Sequence, residues 1–318
     1  MMLLSGLTTL TLEEKILALA SRKRPRLPTM LFVPGSDDRK LAKSATLDVP
    51  AFILDLEDSV AEERKSAARE LVSARLDEIP LGSAKERIFY VRINGMRTAH
   101  ALDDLLAVVR PGLTGLLIPK VEGPQDLHVL DWVLDQLEAS RGLKCGSIEY
   151  IALIETARAL LHIGDIAKAS PRLRCFALGS ADLSADLGIS LGPPEAPSPV
   201  AVSLKTALVV ASRAAGLDPP HEGAYLDHQD QAGLRDSTES ARSMGFSGRH
   251  AIHPDQVPVI LAVFQPLESE VAWAEKVIAS FDESLRQGVA STTVDGQFVD
   301  YAIAERARRI LEAAEAMQ

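Results

Sequence analysis

The sequence predicts an α/β protein: a (β/α)8 TIM barrel that continues into a C-terminal helical extension. Three observations predict it. From residue 29 onward, short apolar runs alternate with stretches whose apolar residues recur at helical spacing. The alternation repeats eight times, the strand number of a closed barrel. The runs are apolar at consecutive positions, as in parallel strands buried on both faces. An open doubly wound sheet is the competing arrangement, but it usually has fewer strands and often a GxGxxG turn, which this chain lacks.

Residues 1–27 precede the barrel. Residues 8–23 read as an amphipathic helix with Thr11 as N-cap and Glu13 and Glu14 in its first turn. RKRPRLP then reads as a proline-broken linker. The opening MMLLSGLTTL lacks the basic and long apolar regions of a signal peptide. No run approaches the roughly 18 uninterrupted apolar residues of a membrane span, so a cytoplasmic location is expected.

The barrel is assigned to residues 28–265. Its strands are TMLFV (29–33), AFILDL (51–56), RIFYVRI (87–93), GLLIP (115–119), EYIALIE (149–155), RLRCFALG (172–179), a weak PPHEGAY (219–225) and GRHAIH (248–253). The segments 62–77, 124–140 and 229–243 carry helical spacing between them. LGPPEAPSPV (191–200) is a proline-rich loop, too short to link domains. A helix through Val263, a break at Pro266 and a helix over about 268–286 follow. The tail, residues 266–318, then runs through GVASTTVDGQFVD (288–300) into a last helix, AERARRILEAAEAM.

The chain has 318 residues, is 47% hydrophobic and has a formal net charge of −10. Its mean hydropathy is +0.07. That acidic balance excludes the broad basic footprint of a nucleic-acid binder, though not a local basic pocket. Cys145 and Cys175 form no CxxC and no disulfide framework, so buried thiols are expected.

In a barrel of this kind, chemistry sits at the C-terminal strand ends. Those ends carry Asp55, Glu57 and Asp58 after strand two, and Arg92 and Asn94 after strand three. Lys120 and Glu122 follow strand four, Glu155 ends strand five, and Ser180 and Asp182 follow strand six. His250 and His253 belong to strand eight. The set is rich in carboxylates and has no nucleophile beside a base. Glu155 and Asp182, from neighbouring strands, suit Mg²⁺, with Mn²⁺ as an alternative; the histidines lack zinc-site spacing. Arg92 suits a developing enolate or a carboxylate. Together they support metal-assisted carbon–carbon cleavage next to a carbonyl. Structural readings compete at several positions. Asp182 or Asp58 could cap a helix, Arg92 could pair with Glu57, Lys120 could be a solvated rim residue, and His253 could be a hydrogen-bonded strand-end residue. Asp55 lies inside a strand, where only a paired carboxylate is tolerated.

MLFVPGSDDRKLAK, AFILDLEDSVAEERKSAARE, YVRING, LLIPKVEGPQDL, ALIETARALLHIGDIAKASPRLRCFALGSADLSADLG, MGFSGRHAIHPDQVPVILAVFQP and DGQFVD, in this order, resemble the HpcH/HpaI aldolase/citrate lyase superfamily. The likeness is to its citrate lyase β-subunit-like branch, with citramalyl-CoA, malyl-CoA and β-methylmalyl-CoA lyases, and covers about residues 28–302. The resemblance implies Glu155 and Asp182 as Mg²⁺ ligands, Arg92 on the thioester or acid oxygens, and Asp300 as the catalytic acid/base. It also makes the tail a lid that reaches a neighbouring subunit of a homotrimer or hexamer. Arg39, Lys40 or Lys43 would hold the CoA phosphates. Asn94, Lys120 and His253 are expected among the substrate contacts. Glu57 joins the catalytic group by orienting Arg92 or metal-bound water, supported by Asp55 and Asp58. Three positions depart from the pattern: Pro28 where relatives often carry Arg, Glu222 for Asp, and Lys205 for Arg.

The activity expected is Mg²⁺-dependent cleavage or formation of a 3-hydroxyacyl-CoA thioester, yielding acetyl- or propionyl-CoA and a keto acid. The alternative is a citrate lyase β subunit acting on an acyl-carrier-protein thioester within a complex. A barrel that has lost catalysis is a third possibility, and it predicts missing site residues. Nucleic-acid and membrane partners are not expected.

Overall fold

Eight short apolar strands pair in parallel and in chain order, and the eighth returns to the first: β1 (Thr29–Pro34), β2 (Ala51–Asp55), β3 (Ile88–Arg92), β4 (Gly115–Ile118), β5 (Glu149–Ile154), β6 (Leu173–Leu178), β7 (His221–Glu222) and β8 (Gly248–Ala251). Closure is direct, with Met30 opposite His250. This is the (β/α)8 barrel expected, seen in a computed structural model that describes residues 25–79, 87–190 and 198–316. The expected N-terminal helix and most of the proline-rich loop lie outside the described residues.

Around the strands run α1 (Asp38–Lys43), α2 (Lys65–Asp77), α3 (Ala101–Val108), α4 (Pro124–Ser140), α5 (Ala157–Leu161), α6 (Ile163–Ile166), α7 (Ser180–Leu187), α8 (Pro199–Ala215), α9 (Gln231–Met244) and α10 (Gln256–Phe264). Several starts are set by side-chain caps. Asp37 accepts from Lys40 N–H, Thr156 from Ala159, Ser198 from Ala201 and Asp230 from Gly233.

Period-two alternation decides what the barrel encloses. Ala51 and Ile53 of β2, Tyr90 of β3, Leu117 of β4, Ile151 and Leu153 of β5, and Cys175 and Ala177 of β6 form one buried cluster. The same alternation carries Asp55, Arg92 and Glu155 inward at the next level toward the C-terminal rim. At the opposite end, Tyr90 Oη donates to Glu149, which also pairs with Arg174 at 2.8 Å. Strand β7 is only two residues long because Pro219 and Pro220 lack the amide hydrogens a ladder needs. Cys175 is buried as expected, whereas Cys145 is only partly covered in the loop before β5.

The described residues fall into two compact units, Leu27–Ile260 and one from Leu261 onward, which also takes in Pro25 and Arg26. In the second, α11 (Glu268–Arg286) and α12 (Tyr301–Glu315) pack with a hairpin, β9 (Thr292–Val294) and β10 (Gln297–Val299). Ala274, Val277, Phe281, Val294, Val299, Ala304 and Ala307 form its core. The hairpin differs from the sequence reading, which treated 288–300 as a connection. Asp295 and Gly296 turn it with φ of 50° and 79°, the two positive φ values a type I′ turn needs. By length and composition, Gln256–Arg286 passes as a membrane span at hydropathy 1.2, contrary to the count of uninterrupted apolar residues. The stretch breaks at Pro266 into helices of 9 and 19 residues, each with its own buried side.

Candidate active site

The site begins with register. Asp55 and Arg92 are paired positions on β2 and β3, both facing inward. Arg92 therefore meets Asp55 side by side, Nε donating to Oδ1 at 2.6 Å and Nη2 to Oδ2 at 2.7 Å. Burial would push the Asp55 carboxyl up, but the hydrogen bonds and charge of Arg92 outweigh it and hold Asp55 below the usual range. The carboxylate also receives the backbone N–H groups of Glu57 and Ser59, which bends the chain into the rim. The guanidinium lies over the Phe32 ring at 4.9 Å. The strand-borne carboxylate is thus paired, and Arg92 is held on two sides.

Glu57 is the next junction. Its carboxylate faces Arg92 Nη1 at 3.0 Å and accepts from Lys120 Nζ at 2.8 Å. Burial pushes its carboxyl up despite both cations. Asp58 reaches Arg92 Nη1 at 3.4 Å but is otherwise exposed. Lys120 stands just past β4 with φ of 53°, a left-handed conformation that non-glycine residues rarely adopt. That conformation aims its backbone N–H at Glu155 Oε1, 2.6 Å away, while its ammonium reaches Glu57.

Glu155 directly follows β5 and is 3% exposed. Burial, then the charges of Asp182 and Glu57, push its carboxyl up to about 8. Asp182 lies in the first turn of α7, the helix after β6. The approach of the two strands depends on Gly179. A Cβ there would sit 2.5 Å from both Cβ and Oε2 of Glu155.

The other predicted residues are placed as follows. Asn94 is buried with every side-chain group engaged inward. Nδ2 donates to Leu56 O at 3.0 Å and Asp104 Oδ2 at 2.7 Å, and Oδ1 accepts from Lys65 Nζ at 2.7 Å. Both Nδ2 hydrogens and one lone pair of Oδ1 are thus spent on bracing the ends of β2 and β3. His253 is half-exposed, its ring tilted against His228 with centroids 4.9 Å apart, and Nδ1 lies 3.5 Å from Asp255 Oδ2. Its contacts are local and include none of the rim acids. His250 faces the barrel interior against Phe32 and His221, and burial pushes its imidazole down to about 3. Arg39, Lys40 and Lys43 lie exposed on α1, directly after β1. Asp300 belongs to the second unit, where it caps α12 by accepting from Ile303 N–H at 3.0 Å. Two departures from the sequence pattern are partners: Lys205 Nζ lies 2.7 Å from Glu222 Oε2.

Sequence reading passed over Lys65 and Gln256. Gln256 is buried and ties the β8 loop to the β7 loop, accepting from Ile252 and His253 N–H and donating to Tyr225 O. Lys65 carried a signal: a cation at the start of a helix opposes the helix dipole and needs another reason to be there.

This rim joins Glu155, just past β5, Asp182, in the helix after β6, an anchored arginine, and a lysine that bonds Glu155 through its backbone and Glu57 through its ammonium. Residues 28–254 match the HpcH/HpaI aldolase/citrate lyase family. The chain belongs to this family. It is accordingly an enzyme of a metal-dependent lyase family. It is 35% identical over 289 residues to a (3S)-malyl-CoA thioesterase of Cereibacter sphaeroides, covering 91% of this chain and 95% of that protein. It is 30% identical to the mitochondrial citramalyl-CoA lyase of Rattus norvegicus, covering 95% and 90%. Among solved structures, CitE from Mycobacterium tuberculosis in complex with magnesium, acetoacetate and coenzyme A matches with a TM-score of 0.72 at 31% identity, covering 91% and 98%.

Proposed function

We propose that the chain is a Mg²⁺-dependent lyase that cleaves or forms a 3-hydroxyacyl-CoA thioester, of the citramalyl-, malyl- or β-methylmalyl-CoA kind. The observation that carries this reading is Glu155: a buried carboxylate beside a second acid, with no ion-pair contact to a cation among the described residues, whose carboxyl is pushed up to about 8. Such a donor set fits a divalent cation, which would relieve the accumulated negative charge. Glu155 and Asp182 would hold Mg²⁺. When bound, the ion supplies Lewis-acid polarisation of the keto-acid oxygens.

The chain's own residues do the rest. In the cleavage direction a base takes the hydroxyl proton, the carbonyl of the keto acid forms, and the carbon–carbon electrons move to the thioester α-carbon. Arg92, fixed by Asp55 and Glu57, offers positive charge to the resulting enolate oxygen without reorganising. Asp300, on the C-terminal lid of a neighbouring subunit, gives its proton to the enolate carbon and takes it back in condensation. Arg39, Lys40 and Lys43 would meet the CoA phosphates. The working unit in this reading is a cytoplasmic homotrimer or hexamer.

A second reading, hydrolysis of a malyl-CoA thioester, is favoured by the 35% identical thioesterase. The test is a panel of malyl-, citramalyl-, β-methylmalyl- and citryl-CoA with Mg²⁺. A lyase releases keto acid together with acetyl- or propionyl-CoA. A thioesterase releases free CoA and the intact hydroxy acid. Activity without partner chains argues against a citrate lyase β subunit that needs a carrier protein.

A further inference from the structure

Beneath the acid rim lies a buried ammonium that the reaction does not consume. Lys65, the first residue of α2, folds back under the loop it follows. Its Nζ donates to Leu56 O at 3.1 Å, Glu57 O at 3.2 Å and Asn94 Oδ1 at 2.7 Å. All three acceptors are neutral, and among the described residues no carboxylate lies within ion-pair range of it. A buried charge without a counter-charge is costly unless its hydrogen bonds are complete. Here they are complete, and two of the three end on the segment that carries Glu57.

The bracing continues outward. Asn94 also donates to Leu56 O and to Asp104, and Asp104 is held by Arg69 Nη1 at 3.1 Å. Leu56 N–H donates to Arg92 O at 2.9 Å. The ends of β2 and β3 are thereby tied together on the side facing α2 and α3. On the other side, Glu57 reaches Arg92 and Lys120.

We propose that Lys65 is a positioning residue for the lyase reaction: it fixes the backbone of Leu56 and Glu57 so that the Glu57 carboxylate meets Arg92 and Lys120 together. The proposal rests on the function proposed above. Groups that orient a reacting constellation from behind typically cost about 10- to 100-fold when removed. Lys65→Met keeps the length and apolar stem and removes the donors.

The experiment measures kcat and KM for keto-acid release by wild type, Lys65→Met, Glu57→Gln and the double variant, with thermal unfolding in parallel. Lys65→Met should lower kcat about 10- to 100-fold and move KM by less than about threefold. Because it acts through Glu57, adding it to Glu57→Gln should cost less than about threefold more. Losses that multiply in the double variant, or an unchanged kcat in Lys65→Met, overturn the proposal. If Lys65→Met does not fold, Lys65→Leu, which also removes every donor, takes its place with the same criteria. If wild type releases no keto acid, the reading of function fails, and the crystal structure of the variant judges the proposal instead. Residues 56–60 should then be displaced and the Glu57–Lys120 bond lost; an undisturbed loop would overturn it.

Discussion

Asp55 and Asp58 stand three residues apart beside the same arginine, yet their environments differ. Asp55 is buried and bound to Arg92 along two atoms, whereas the Asp58 side chain is 56% exposed. Removing one partner of a buried pair strands the other charge, so Asp55→Ala should lose about 3–5 kcal/mol in denaturant unfolding. Asp58→Ala should lose under about 1 kcal/mol, as exposed pairs do. Glu155 makes a prediction about pH. Its carboxyl rises from 4.5 to about 8 on folding. A raised acid binds more protons in the native state, so its stabilising contribution is full below the unfolded value and is lost as pH rises through about 8. Mg²⁺ needs the carboxylate form. The rise in melting temperature on adding Mg²⁺ should therefore be larger at about pH 9 than at about pH 6; equal rises would separate Glu155 from the ion. At this scale, the acids and Arg92 were legible because they punctuate apolar runs. Lys65 and the inward commitment of Asn94 were not, because both depend on contacts between residues 29 apart.

The strands were legible because continuous apolar runs of this length have few other uses. Strand β7 was weak in sequence for the reason it is short in structure, its two prolines. The β9–β10 hairpin was overlooked although Asp295-Gly296 is a strong turn signal. The β5–β6 pair yields the prediction for this scale. Gly179→Ala would bring a methyl group against Glu155 while leaving the sheet paired. The Mg²⁺ concentration for half-maximal activity should rise about tenfold or more, with the far-ultraviolet circular dichroism unchanged. An unaltered Mg²⁺ requirement would mean that Glu155 can move aside without consequence.

At the scale of the molecule, barrel and tail divide the chemistry in the proposed mechanism. Sequence pattern alone gave the tail no purpose; the family resemblance supplied one. If Asp300 serves a neighbouring subunit, then Asp300→Ala and Glu155→Gln chains, each inactive alone, should regain activity when co-assembled. With equal mixing in a closed ring, about a quarter of sites receive an intact barrel and an intact lid. No recovery in verified mixed oligomers would confine Asp300 to its own chain. In the proposed mechanism Glu155 and Asp182 hold a Mg²⁺ ion required for carbon–carbon cleavage. The most direct measurement is keto-acid release from the malyl-type CoA panel as a function of Mg²⁺ concentration. Release should saturate with Mg²⁺, stop on chelation and be absent in Glu155→Gln; keto acid formed equally well without Mg²⁺ would remove the ion from the reaction, and free CoA formed without any keto acid would exclude carbon–carbon cleavage.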